Sequence, residues 1–265
     1  MRGLALFPAA LLTLVCAAAA VQAQGGFPAA NGPVEIDARD GVEWVSAPDG
    51  ASGYYRARGN VVVRQEGLTL QAGEVTAFYR RGAAQAQEIH RLEASGAVVM
   101  RNETTEASGD AAVYDLTAGT VLMTGRQVQL TGREMVITAS RSMEFRDREN
   151  LVIARGGAVA AQGERRLRAD RLTAYLTRAA ADAPGRVERI DAAGDVHLST
   201  PAEVIRAEEG VYNVTAEQAL LCGSVRISRG SNQLNGECAE VDLKNGRSIL
   251  KGRVNSLIVP RDAEN

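Results

Sequence analysis

The side chains best suited to chemistry near neutral pH are two histidines, His90 and His197, and three cysteines, Cys16, Cys222 and Cys238. His197 lies two residues from Asp195, the spacing that puts both on one face of a strand. A histidine–carboxylate pair of this kind is an elementary acid–base unit, and it is also an ordinary solvent-facing pair. His90 belongs to a different part of the chain, and two scattered histidines without a cysteine motif make a poor zinc site. No nucleophile elbow, phosphate loop or dinucleotide fingerprint accompanies them. The sequence therefore predicts no catalytic site, no metal and no cofactor.

Cys222 and Cys238 lie in LLCGSVRISRG and NQLNGECAEVDL, two alternating runs joined by a turn near Gly230-Ser231 that sets residue 222 opposite roughly residue 239. A cross-strand disulfide or two buried thiols both fit this arrangement. Of the 30 basic residues only Lys244 and Lys251 are lysine. Codon bias accounts for this, and so would a need for the bidentate grip of arginine on phosphate or carboxylate. The run Glu164-Arg165-Arg166-Leu167-Arg168 poses the same choice between a solvated strand face and a phosphate-contacting rim. A net charge of −2 gives nucleic-acid binding no support.

The elements that hold these residues follow from patterning. The 265 residues are 45% apolar and 23% charged with 27 glycines and 7 prolines, which excludes collagen, disulfide mini-proteins and polar disordered tails. Residues 1–23 read as a signal peptide: Met1-Arg2, an uncharged run over 4–20, and small residues ending at Ala23. Cys16 sits inside that run after Leu14-Val15, a poor lipidation context. The expectation is an exported protein with a short linker over 24–32, one domain over 33–259, and a tail over 260–265.

A glycine followed by a short apolar run recurs at Gly59, Gly96, Gly125, Gly156, Gly194, Gly223 and Gly252. A longer period lies above it, since 59→156, 96→194 and 125→223 are offsets of 97, 98 and 98 residues. A three-unit block is thus used twice, over 59–155 and 156–259. Each unit also has a second alternating run, as in Val75-Thr-Ala-Phe-Tyr and Leu172-Thr-Ala-Tyr-Leu. Alternation of this kind is the period of a strand with one wet face, and helical periodicity is nearly absent after the leader. The prediction is all-β: about fourteen to sixteen stacked antiparallel strands with a thin aliphatic core and two unprotected sheet edges.

The full register of Pro33-Val-Glu-Ile-Asp-Ala, Ala57-Arg-Gly-Asn-Val-Val-Val, Gln71-Ala-Gly-Glu-Val-Thr-Ala-Phe-Tyr, Gly109-Asp-Ala-Ala-Val-Tyr-Asp and Gly223-Ser-Val-Arg-Ile-Ser-Arg-Gly resembles the LptA, or OstA-like, family over about residues 33–259. The resemblance implies an open, twisted β-jellyroll whose apolar groove shields the lipid A acyl chains of lipopolysaccharide. It also implies strand-edge pairing with LptC-like inner-membrane and LptD-like outer-membrane jellyrolls, and head-to-tail joining of copies. Each methylene withheld from water is worth about 0.8 kcal/mol, so such a groove must be apolar and free of polar traps. Alternation places Val61, Val63, Val98, Met100, Val196, Leu198, Val225 and Ile227 inward from the first run of each unit. It likewise places Ala77, Val113, Met143, Ala174, Val211 and Val241 inward from the second, with Phe78, Tyr114, Tyr175 and Tyr212 on the opposite face. A one-residue shift in register would exchange the two sets. The competing readings are a membrane-anchored LptC-like relative that retains 4–20, a structural β-solenoid with a filled core, and, last, a β-helical enzyme.

Overall fold

The computed structural model describes residues 34–65, 67–82, 87–177 and 186–258. The signal peptide, the linker and the C-terminal tail fall outside the described residues. The strands are β1 (Glu35–Asp37), β2 (Val42–Ser46), β3 (Ser52–Gln65), β4 (Leu68–Arg81), β5 (Gln87–Arg101), β6 (Glu106–Asp115), β7 (Thr120–Thr124), β8 (Val128–Thr131) and β9 (Val136–Ala139). They continue as β10 (Ser142–Arg146), β11 (Leu151–Gln162), β12 (Arg165–Leu176), β13 (Val187–Ser199), β14 (Val204–Asn213), β15 (Gln218–Arg229), β16 (Asn232–Asp242), β17 (Arg247–Lys251) and β18 (Asn255–Leu257). All pair antiparallel in one sheet, each with its neighbours in sequence. Four pairs, β1/β2, β7/β8, β9/β10 and β17/β18, are the two halves of one broken line. The sheet is therefore a meander of fourteen rungs.

Every rung bends in the middle, and the seven repeating glycines mark the bend in every second rung. In β3, β5, β11, β13 and β15 it consists of two successive residues with φ between 46° and 96°: Gly59-Asn60, Gly96-Ala97, Gly156-Gly157, Gly194-Asp195 and Gly223-Ser224. Each is a register shift against the neighbouring strand, that is, a β-bulge carrying one extra residue. Gly125 and Gly252 lie in the gaps between β7 and β8 and between β17 and β18. At Gly223 φ is +87° and a Cβ would stand 2.6 Å from that of Glu208, so both the backbone and the space require glycine.

The bend makes an inside. Inward residues step by four across the bulged strands, from Ala57 to Val61, Ala94 to Val98, Ala154 to Ala158, Ala192 to Val196 and Leu221 to Val225. In the intervening strands they step by three, from Ala72 to Val75 in β4 and Ala169 to Leu172 in β12. Strict alternation allows the step of four but not the step of three, and a straight sheet would not pair the two. Together they keep one face of every rung inward on both sides of the crease. The crease is lined by small residues, and among the described residues fifteen of the forty buried apolar ones are alanine, so the two layers close tightly there. Larger side chains such as Met100, Leu198, Ile227 and Tyr212 lie farther out.

The layers also meet at their tips. Arg165 begins β12 and Leu243 follows β16, at opposite ends of the rungs, yet the guanidinium donates to the Leu243 carbonyl at 3.1 Å. A flat sheet would separate those ends by roughly 30 Å at 3.3 Å per residue. Cys222 and Cys238 face each other in the β15–β16 pair and their sulfurs are bonded, with Cα atoms 4.2 Å apart, tying two rungs together beside the bend.

Gly223→Ala is expected to destabilise the protein by roughly 2 kcal/mol or more, through positive φ and overlap with Glu208. Gly163→Ala, at a turn where φ is +57° and no atom lies within 4 Å of the added Cβ, should cost only about 1 kcal/mol. Urea denaturation of the two variants reads the difference, and equal losses would refute the close-approach argument.

Candidate functional site

The candidate site is the inner face itself. Val61, Val98, Met100, Ala77, Met143, Ala174, Val196, Leu198, Val225, Ile227 and Val241 are all buried, and Val63 is half-buried against the same core. Val113 and Val211 are corrected. Val211 is 40% exposed while Tyr212 beside it is 6% exposed; Val113 lies in the corresponding position and Tyr114 packs against the core. The reason is the three-residue step. Gly109 and Ala112 both face inward, so Tyr114 follows inside, and in β14 Ala207 and Gly210 lead to Tyr212 in the same way. Phe78 and Tyr175 do lie on the outer face, Tyr175 beneath the guanidinium of Arg189 at 4.5 Å. The Ala-Phe and Ala-Tyr pairs of β4 and β12 thus give no guide to the Val-Tyr pairs of β6 and β14.

At the first rung the inner face carries aromatic rings that the sequence analysis did not single out. Trp44 stacks on Tyr55 at 5.9 Å and donates its indole N–H to the Tyr79 hydroxyl at 2.9 Å. Tyr55 lies 5.3 Å from Tyr79 and donates to Gln87 at 2.7 Å. Gly53 leaves the space that Tyr79 fills, since a Cβ there would stand 2.4 Å from its hydroxyl. Trp44 remains 60% exposed because its rung is the sheet edge. The available signal was the pairing of Trp44 with Tyr55 across a hairpin, two residues before Ala57.

The charged residues are arranged on the outer face and at the tips. His197 Nε2 lies 3.0 Å from Asp195 in the β13 bulge, and Arg168 approaches the same carboxylate at 3.8 Å. Of the arginine run, Arg165 donates to Glu217 at 2.6 Å as well as to the Leu243 carbonyl. His90 occupies an irregularity in the β4–β5 register, with a buried Nδ1 that has no partner. Glu144 is shielded from water, which opposes its charge. Hydrogen bonds from Arg146 at 2.6 Å and Arg155 at 2.9 Å outweigh that and hold its carboxyl below the usual range. Asp147 is the reverse case: burial pushes its pKa up, with only partial relief from Arg148, and its buried Oδ1 has no partner. Among the described residues no cluster of three or more His, Cys, Asp or Glu could hold a metal ion.

A meander folded along a crease, with an apolar inner face and two open edges, is a β-jellyroll. The chain belongs to the family described as LptA/(LptD N-terminal domain) LPS transport protein, whose model matches residues 49–141 and again 137–247. The model thus matches the chain twice in succession, as a repeated sequence would. An uncharacterized protein of Rhizobium meliloti (strain 1021) is 31% identical over 109 residues, covering 39% of this chain and 59% of that relative. The chain thus matches a little over half the length of that relative. A solved structure of LptH from Pseudomonas aeruginosa, described as the LptA-homologous periplasmic component of the lipopolysaccharide transport device, aligns at 19% identity with a TM-score of 0.40. That alignment covers 48% of this chain and 95% of LptH.

Two substitutions test the charge assignments. Glu144→Gln should lower stability at neutral pH by on the order of 1–2 kcal/mol, and the loss should fade as pH falls through the depressed pKa of the native state, where wild type loses the same stabilisation. Asp147→Asn should raise stability at neutral pH. Its advantage should shrink in acid, where the raised pKa already lets the native protein hold the proton. Thermal melts across that pH range check both, and a pH-independent difference would contradict them.

Proposed function

We propose that the protein is a periplasmic, non-enzymatic lipopolysaccharide carrier, exported after cleavage behind Ala23, in which lipid A acyl chains lie between the two layers. The observation that supports this most is the inner face: a continuous apolar surface along fourteen rungs, bounded by a crease of alanine and glycine and by separable tips. Shielding several acyl chains requires such a surface, at about 0.8 kcal/mol per methylene. Thin alanine-rich layers give up little packing per residue when they part to admit a chain. Sugars and phosphates would stay at the tips, in water. Val61, Val98, Met100, Val196, Leu198, Val225 and Ile227 are the residues assigned to contact the chains, with Tyr114 and Tyr212 in place of Val113 and Val211.

The two edges are the assembly surfaces. β2 presents Val42, Trp44 and Val45, and the C-terminal edge presents Ile249, Val254 and Leu257, all exposed. Unpaired strands with apolar side chains are templates for another sheet. Head-to-tail copies and the jellyrolls of LptC-like and LptD-like partners would extend the inner face into a bridge between the membranes.

Uptake of lipopolysaccharide from micelles by the purified protein, followed by co-elution in gel filtration, tests the carrier reading. Stoichiometric co-elution, competed by a lipid bearing lipid A chains and not by free core oligosaccharide, is expected. Absence of binding by the folded protein would favour a filled structural β-solenoid. Val45→Lys, on the outer face of the same edge strand, should weaken end-to-end association measured by sedimentation and leave uptake by the monomer intact.

A further inference from the structure

The two blocks repeat the same rungs, so each position at the tips of the second can be compared with its equivalent in the first. The second block is held shut by charge. Arg165, in the turn from β11 to β12, donates to Glu217 in the turn from β14 to β15, on the opposite layer. Glu203, 5% exposed in its side chain, accepts from Arg229 at 2.8 Å and from Ser248 at 2.7 Å, the latter on β17. Arg229 also reaches the Gly246 carbonyl at 3.5 Å. Tyr212 bonds Gln162 at 3.3 Å across the same gap. Arg165, Glu203, Glu217 and Arg229 themselves line a cavity of about 560 Å³ between the tips of the layers.

At the four equivalent positions the first block carries uncharged residues. Gln65 pairs Leu68 as Gln162 pairs Arg165, so Leu68 stands where Arg165 does, and it packs against the core. By the same alignment of turns, Gly119 replaces Glu217, Thr105 replaces Glu203 and Gly132 replaces Arg229. A carboxylate as buried as Glu203 must keep its cation or leave a costly unpaired charge. Arg229 lies on the same lip as Glu203 and stays with it, so what must part is the set of cross-layer bonds, Arg165–Glu217, Glu203–Ser248 and Arg229–Gly246, which share one mouth.

We propose that the mouth of the second block is an ion-paired gate: Arg165–Glu217 spans the layers, the Glu203–Arg229 pair on one lip holds Ser248 and Gly246 on the other, and an acyl-bearing ligand enters there only after these cross-layer bonds part, whereas the first block admits it without such a step. The inference rests on the carrier reading for its ligand but not for the clamp. It makes the two halves of one chain unequal, with the first half filled before the second.

The test has two arms. Spin labels at Glu164 and Ala216, exposed on opposite lips, report the gap without lipid. Wild type should give one narrow distance, and R165A/R229A a broad, longer distribution; coincident distributions would overturn the clamp. Glu217→Gln, a milder change on a surface turn, should broaden the distance in the same direction if the double variant folds poorly. The second arm places photo-reactive side chains at Met100 and at its equivalent Leu198 during lipopolysaccharide uptake. Wild type should crosslink more at Met100, and R165A/R229A should raise the Leu198 adduct several-fold with Met100 unchanged. Equal adducts in wild type, or no rise in the variant, would overturn the gate. No adduct at either position in any protein would instead refute the carrier reading, and with it the gate's ligand, while the distances still report on the clamp.

Discussion

The structure depends on a mismatch of one residue at the crease. A bulged strand takes four residues to cross from one layer to the other, and its unbulged neighbour takes three. Because the two alternate, backbone pairing survives on both sides of the bend while the sheet folds on itself. The glycine of each Gly-X pair is what makes this cheap: two successive positive φ values strain most residues, and adjacent strands approach where a Cβ would sit. The acidic side chains of Asp40, Asp110, Asp170, Glu208 and Glu237 lie against five of the seven repeating glycines, so the crease is also a line where backbone and carboxylate pack closely.

From that constraint the rest follows in order. A folded meander has one concave apolar face and two free edges, whatever its length, and length is gained by adding rungs. Here the rungs come as a duplicated block, each copy matched by the same family model. The core is extended rather than round: each rung touches its neighbours and the opposite layer, and no single side chain organises it. Alanine at the crease and larger residues outward give a wedge-shaped interior, closed by contacts at the tips. Those contacts are where the two copies differ, one carrying ion pairs and the other leucine, threonine and glycine.

Much of this was legible in the sequence because the repeat carries it. The glycines at 97- and 98-residue offsets are the bends themselves, and the alternating runs are the half-rungs on either side. The opposition of Cys222 and Cys238 followed from a single tight turn. Alternation failed at the crease, where a residue count cannot distinguish a step of three from one of four. That failure exchanged Val113 with Tyr114 and Val211 with Tyr212. The tip contacts were equally hidden: Arg165 and Glu217 are joined only because the sheet folds, and in sequence Arg165 reads as one member of a solvated basic run. The aromatic cluster of Trp44, Tyr55 and Tyr79 escaped for the same reason, as its members meet across three rungs.

The account's central claim is that the creased sheet creates the lipid-contacting face. A photo-crosslinking scan along β14, from Val204 to Asn213, with lipopolysaccharide in cells tests it most directly. The account predicts adducts at Ile205, Ala207, Gly210 and Tyr212, with the phase changing between 207 and 210. Adducts in unbroken alternation through 205, 207, 209 and 211, or on the outward residues alone, would contradict it.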